Sequence, residues 1–282
     1  MRIALATCLA WPDLLESDLV LRGALERCGH EVVAAPWNGP IEAFLQADVT
    51  VLRACWDYHE NPGAFLDWLA TLETQAVVSR NPPDMVRWNF DKSYLITLEQ
   101  AGVRVPRTIL VDPRDQGAIE RALGQNGWDV GILKPVSGQS GFNVAKIDRA
   151  RPDLWHGKAI AGDRALLQEF QADIGALGET TLVFFGGVFS HAARRVIAEG
   201  EWRANSQFGA RVEPVSVSPE IIAQAEAALA VVPGVPVYAR VDGLIRGDAF
   251  TVMEVELVEP SLYLHLAPGA GERFAEAIER SV

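Results

Sequence analysis

The chain has 282 residues, 49% of them hydrophobic and 22% charged, a profile of a globular protein long enough to favour two or three subdomains over one core. Its formal net charge of -12 argues against a nucleic-acid binder, which needs clustered Lys and Arg, yet a few local cations would suffice to hold a nucleotide. No apolar run reaches transmembrane length, the opening residues lack a secretory pattern, and Cys8, Cys28 and Cys55 have no C-x-x-C spacing. A cytoplasmic protein with no membrane partner and with reduced thiols in or near a core is expected.

In chain order, "RIALATC" reads as a buried strand, "ESDLVLRGALERCG" as a helix closed by Gly29, and "HEVVAAPW" as a second strand. A short helix "IEAFLQA", a strand "DVTVLRA", a helix "PGAFLDWLATLE" and a strand "AVVSR" follow. This alternation predicts a parallel sheet covered on both faces, with ligands beyond the strand C-termini. Arg53, Trp56, Asp57 and Tyr58 in "LRACWDYHENP" are therefore candidate binding residues; Trp56 and Tyr58 packing the loop onto the sheet is the equal alternative.

Prolines in "NPPDMVRWNFDK" mark a boundary. The stretch "DKSYLITLEQAG" predicts a helix with Asp91 as N-cap, an apolar stripe through Tyr94, Leu95, Leu98 and Ala101, and a stop at Gly102. Lys92 falls in its first turn, where the helix dipole disfavours a cation and welcomes an anion. The segments "VRVPRTILV", "VGILKPV" and "LLQEFQADI" read as a second sheet. Next come a hairpin about Gly186-Gly187, a polar stretch "GEWRANSQFG", the helix "SPEIIAQAEAALAVV" and two strands, "VYARVDGLIR" and "FTVMEVELVEP". The fold class is thus α/β at the amino-terminal end and α+β after it, in three units expected at residues 1–88, 89–170 and 171–282.

Chemistry concentrates in three places. In "ILKPVSGQSGFNVAKI" Lys134 lies in an apolar run ahead of two glycines, which suits either an anionic ligand or a plain hairpin with Lys134 leaving an edge strand. Lys92 is the second cation. The third place is a pair of strands on which period two sets Arg240 beside Asp242 and Glu254 beside Glu256. If these strands pair, three carboxylates meet a guanidinium and call for Mg²⁺; a solvated charged face is the alternative. G-x-x-x-x-G-K-[ST], G-x-G-x-x-G and the kinase H-R-D and D-F-G motifs are all missing.

The order and spacing of these elements, from about Arg87 onward, resembles the ATP-grasp superfamily of carboxylate–amine ligases. The resemblance implies an ATP-grasp fold with an amino-terminal parallel-sheet domain and two α+β lobes enclosing ATP. It implies that Lys92 and Lys134 contact the ATP phosphates and that Ser137, Gly138, Gln139, Ser140 and Gly141 form a lid. Glu169 and Phe170 would lie at the adenine hinge and Glu179 near the ribose. Asp242, Glu254 and Glu256 would hold magnesium, two ions in all, and Arg240 the γ-phosphate; many relatives carry Asn at the position of Glu256.

A narrower resemblance, through "LRACWDYHENPGAFLDWL", "FFGGVFSHAARR" and "GEWRANSQFG", is to the subgroup containing the O-ureido-D-serine cyclo-ligase of D-cycloserine biosynthesis, itself similar to glutathione synthetase. A usual glycine pair after "FG" is replaced here by Ala210-Arg211. The resemblance implies a small amino-acid-like substrate whose carboxylate is activated as an acyl phosphate and then attacked by nitrogen, within one molecule or between two. Arg203 is the candidate for the substrate carboxylate or the oxyanion, with a surface salt bridge as its alternative. Arg53, Trp56, Asp57 and Asn205 are candidates for the rest of the substrate. A homodimer, and a nucleotide-binding regulator without turnover, stay open at this point.

Overall fold

The structure, a computed structural model, describes residues 1–138, 141, 143–156 and 163–282. Its first sheet is parallel, in the order β2-β1-β3-β4, from β1 (Arg2–Thr7), β2 (Glu31–Pro36), β3 (Val49–Leu52) and β4 (Ser79–Arg80). Helices α1 (Glu16–Arg27), α2 (Glu42–Leu45) and α3 (Pro62–Thr74) connect them. Ile3 and Leu5 pack toward α1 while Ala4 and Ala6 face Phe44, Phe65 and Trp68, so apolar residues cover both faces of β1. Asn61 caps α3 by accepting from the Ala64 amide at 3.2 Å, with Pro62 at the first turn. The strand expected over "AVVSR" shrinks to Ser79–Arg80, and Cys28, expected near a core, is exposed, while Cys8 and Cys55 are buried.

The proline-rich boundary contains a helix, α4 (Pro83–Phe90), because both prolines fall where their missing N–H groups are not needed. Helix α5 (Tyr94–Gln100) follows, so Lys92 occupies the turn between two helices and not a first helical turn. Its amide donates to the Val136 carbonyl at 2.7 Å, and the Asp91 side chain accepts from the Ser93 amide at 2.9 Å.

The second sheet is antiparallel, in the order β5-β8-β6-β7: β5 (Thr108–Val111), β6 (Val130–Pro135), β7 (Ala145–Asp148) and β8 (Ala165–Glu169), with α6 (Gln116–Asn126) against it. Strand β6 lies between β8 and β7, so Lys134 does not leave an edge strand. After α7 (Ile174–Leu177) comes a five-stranded antiparallel sheet, β11-β10-β9-β12-β13, made of β9 (Glu179–Phe185), β10 (Val188–Val196), β11 (Arg211–Val215), β12 (Tyr238–Arg246) and β13 (Ala249–Glu256). The hairpin turns at Gly186-Gly187, both at positive φ.

Helices α5 and α8 (Pro219–Leu229) share one core with this sheet through Tyr94, Leu98, Ala225, Phe184 and Val252. The last helix, α9 (Ala270–Arg280), packs on α1 and on Phe185, which stacks with Phe274 at 4.7 Å. The carboxy-terminal sheet is thereby tied to the first one, and a cavity opens where all three sheets meet. No helix among the described residues is long and apolar enough to cross a membrane.

Candidate active site

The cavity has a volume of about 420 Å³, in the range of small-ligand sites. Strands β12 and β13 build its charged floor. They pair antiparallel with Arg240 opposite Glu256 and Asp242 opposite Glu254, and a bulge follows, so that Gly243 faces Val252. The bulge makes room for Met253 to line the cavity beside Glu254. Gly243 is required there, because a Cβ would lie 2.5 Å from the Thr251 carbonyl and 2.6 Å from the Phe250 ring.

Every carboxylate expected to hold metal already has a cation. Lys92 pairs with Glu254, and Arg240 reaches Glu256 at 2.5 Å. Asp242 is 1% exposed and takes Arg195 at 2.5 Å, Arg240 at 2.9 Å and the Thr181 hydroxyl at 2.7 Å. Asp242 is therefore not an open ligand: its lone pairs are committed, and it does not line the cavity. Among the described residues no three His, Cys, Asp or Glu side chains could hold a metal ion by themselves. Glu254 and Glu256, part-exposed on one face of β13 with a single cation each, do suit magnesium, which takes one or two carboxylates and completes its shell with water and substrate phosphate.

Lys134 rises from β6 and donates to Gln168 at 3.1 Å, and burial, with Lys92 nearby, pushes its pKa down to about 7. Burial also lowers Lys92, against the pull of Glu256 and Glu259. Glu179 lies at the cavity wall against Arg195 at 2.9 Å, and burial pushes its carboxyl up. Glu169 and Phe170 line the opposite part, where Lys146 lies 4.0 Å from the Phe170 ring centre and Trp202 meets it edge-on. Gly138 and Gly141 line the cavity; Ser137 does not, and Gln139 and Ser140 lie outside the described residues. A Cβ on Gly141 would meet Asn205 at 3.2 Å and Phe208 at 3.4 Å, so Gly141 lies against the 201–208 segment.

Arg203 and Asn205 also line the cavity. Arg203 lies 3.5 Å from the Phe208 ring centre and binds Glu201 through two nitrogens, at 3.0 and 2.6 Å. That bond holds the Glu201 carboxyl down to about 2. Trp56 and Tyr58 line the cavity, but Arg53 and Asp57 do not. Arg53 is 1% exposed, paired with Asp18 at 2.8 Å and donating to the Pro260 carbonyl at 2.6 Å. Asp57 accepts from Trp37 at 2.6 Å and Asn38 at 2.8 Å. Both serve the scaffold, because the loop after β3 folds back between the first sheet and the 257–262 segment.

Several cavity residues were not singled out from the sequence: Asn89, Arg195, Glu259, Ser261 and Tyr263. Arg195 had a signal, since the hairpin register sets it opposite Glu179. Asn89 sits on α4 and holds the Val255 carbonyl and the Leu257 amide, while Glu259, Ser261 and Tyr263 follow irregular backbone after β13, where no period applies. Tyr263 holds φ of 49°, a conformation that non-glycine residues adopt mostly where the surroundings enforce it.

Known proteins with this architecture are informative. Residues 3–81 match the family model described as D-cycloserine synthetase DcsG, N-terminal domain, and residues 97–232 match prokaryotic glutathione synthetase, ATP-grasp domain. The crystal structure of D-cycloserine synthetase DcsG superposes with a TM-score of 0.88 at 26% identity, covering 100% of this chain and 99% of that one. D-alanine–D-alanine ligase from Bacillus anthracis complexed with ATP superposes at 0.70 and 18% identity, over 99% and 96% of the two chains. A clamp of two antiparallel sheets behind a parallel one, charged at its floor, is the ATP-grasp fold, and the chain is an ATP-dependent ligase forming C–N bonds. It is 30% identical to cycloserine biosynthesis protein DcsG of Streptomyces lavendulae over 95% of its own length and 92% of that protein. The chain belongs to the DcsG family.

Proposed function

We propose that the enzyme closes the ring of D-cycloserine from O-ureido-D-serine, using ATP to activate the substrate carboxylate. The observation that carries this reading is a single cavity in which Lys92, Lys134 and Arg240 stand beside Glu254 and Glu256. In this reading the adenine lies against Phe170 and Ile132, and Lys92, Lys134 and Arg240 take the phosphates. Glu254 and Glu256 would hold magnesium, which when bound would neutralise charge on the triphosphate. Asp242 steers Arg195 and Arg240 from behind.

The substrate carboxylate attacks the γ-phosphate to give an acyl phosphate and ADP. The ureido nitrogen bonded to oxygen then attacks the acyl carbon, phosphate leaves with the bonding pair, and the nitrogen proton passes to solvent or phosphate. Water then cleaves the bond between the ring nitrogen and the carbamoyl carbon, giving D-cycloserine and carbamic acid, which falls to carbon dioxide and ammonia. Arg203, which lines the cavity with Glu201 as its present partner, would present its planar fork to the carboxylate or the oxyanion by exchanging that partner. The three units at residues 1–88, 89–170 and 171–282 supply the substrate wall, the nucleotide lobe and the charged floor in turn. The test is ADP release with O-ureido-D-serine and magnesium, with mass spectrometry of the product. ADP release giving D-cycloserine supports the reading; turnover only with a separate amine would assign an intermolecular ligase instead.

A further inference from the structure

After β13 the chain runs through residues 257–262 without regular secondary structure, yet six consecutive carbonyls each accept a hydrogen bond from a side chain. Leu257 accepts from Asn81 at 2.9 Å, Val258 from the Tyr238 hydroxyl at 2.8 Å and Glu259 from the Trp56 indole at 3.2 Å. Pro260 accepts from Arg53 at 2.6 Å, Ser261 from Arg240 at 3.0 Å and Leu262 from His191 at 2.8 Å. Backbone groups that miss a sheet ladder need such partners, but drawing them from both ends of the chain fixes this segment in one conformation.

The side chain so positioned is Glu259. It is 8% exposed and lines the cavity, and no side chain among the described residues hydrogen-bonds or ion-pairs with its carboxylate. Every other acid on the floor of the cavity has a cation. A buried carboxylate with no cation bonded to it is unfavourable unless a ligand supplies positive charge. Burial, with Glu256 nearby, pushes its pKa up to about 8, which agrees with a group that lacks a counter-ion in the free enzyme. Trp56, Tyr58, Phe90 and Tyr263 line the same cavity, and aromatic faces suit a cation.

We propose that Glu259 is the acceptor for the α-ammonium group of the amino-acid substrate and so selects α-amino acids over other carboxylic acids. This inference rests on the ligase reading above. The geometry agrees with the chemistry: an α-ammonium lies one carbon from the carboxylate to be activated, and Glu259 lies three residues beyond Glu256, among the floor residues Lys92 and Arg240 that act on it electrostatically.

The experiment compares O-ureido-D-serine with its analogue carrying hydrogen in place of the α-ammonium, in the parent enzyme and in Glu259→Gln, following ADP release. The parent is expected to show a KM about 10- to 100-fold higher for the analogue. Glu259→Gln is expected to raise the KM for O-ureido-D-serine to that of the analogue, with the KM for ATP and the magnesium requirement held within about threefold. Equal handling of the two compounds by the parent overturns the proposal, and this arm stands even where the variant does not fold. A variant that keeps the parent KM, or that changes the magnesium requirement in its place, overturns it as well. A parent enzyme that binds ATP yet releases no ADP with any amino acid overturns the ligase reading, and the inference with it.

Discussion

Lys134→Met is expected to make the free enzyme more stable and its nucleotide binding weaker. Burial lowers Lys134 from 10.5 to about 7. At about 1.4 kcal/mol per pKa unit, this sets an upper bound near 5 kcal/mol on what the charged ammonium costs the folded state. Water entering the open cavity reduces this to an expected ~1–3 kcal/mol. Methionine removes the charge at similar length but takes a donor from Gln168, about 1 kcal/mol in the other direction. The sign with pH follows. Between about 7 and 10.5 the unfolded chain holds a proton that the folded enzyme lacks, so the parent gains stability as pH rises through that window. The melting temperature of the variant should therefore exceed the parent's by about 2–5 °C at pH 6, a lead that shrinks toward pH 10. Its Kd for ATP should rise about 10- to 100-fold, because a charge-assisted phosphate contact is lost. Differential scanning fluorimetry at both pH values and calorimetric ATP titration measure the two effects. A variant destabilised at pH 6, or one that binds ATP like the parent, refutes the reasoning.

Glu254→Gln and Glu256→Gln should each lower ADP release by about 100-fold or more while nucleotide affinity without magnesium changes little, read by a coupled ADP assay and a magnesium titration. Gly243→Ala drives a methyl into the Thr251 carbonyl and the Phe250 ring, so a loss of about 2–4 kcal/mol in a urea titration is expected. Arg53→Met leaves Asp18 buried without its cation and frees the Pro260 carbonyl; it should cost about 3–5 kcal/mol in the same titration and should raise the KM for the amino acid more than that for ATP.

The sequence carried the regular parts of this molecule. Period two on "YARVDGL" and "TVMEVEL" put Arg240 with Asp242 and Glu254 with Glu256 on one face of each strand, and the observed pairing of the two strands sets the pairs opposite one another. The hairpin at Gly186-Gly187 and the alternating amino-terminal half were equally plain. What pattern could not reveal was which carboxylates are spoken for. Asp242 and Glu254 look alike in sequence, but Asp242 meets Arg195 from a strand about fifty residues earlier, and only packing shows that its lone pairs are filled. Arg53 and Asp57 misled for the same reason: a loop beyond a strand C-terminus also has to be anchored, and here these two residues are the anchors. Glu259 went unnoticed because irregular backbone has no period, and its importance lies in six hydrogen bonds from distant side chains.

The pairing on the charged floor explains how so many ionised groups are compatible with a folded cavity. Lys92 with Glu254, Arg240 with Glu256, and Arg195 with Glu179 and Asp242 neutralise one another in the absence of ATP. A triphosphate arriving alone would compete with those carboxylates for their cations and leave carboxylates without partners near new negative charge. In the proposed reading, a triphosphate that comes with magnesium would draw on Lys92 and Arg240, and Glu254 and Glu256 would be the residues to hold the metal. The paired floor residues thus serve folding in the free enzyme and are the groups proposed to serve phosphoryl transfer. Glu259 stands outside this exchange, since none of the floor cations bonds to it in the free enzyme. In the proposal above its counter-charge comes with the second substrate, the one reactant that the nucleotide and metal do not supply.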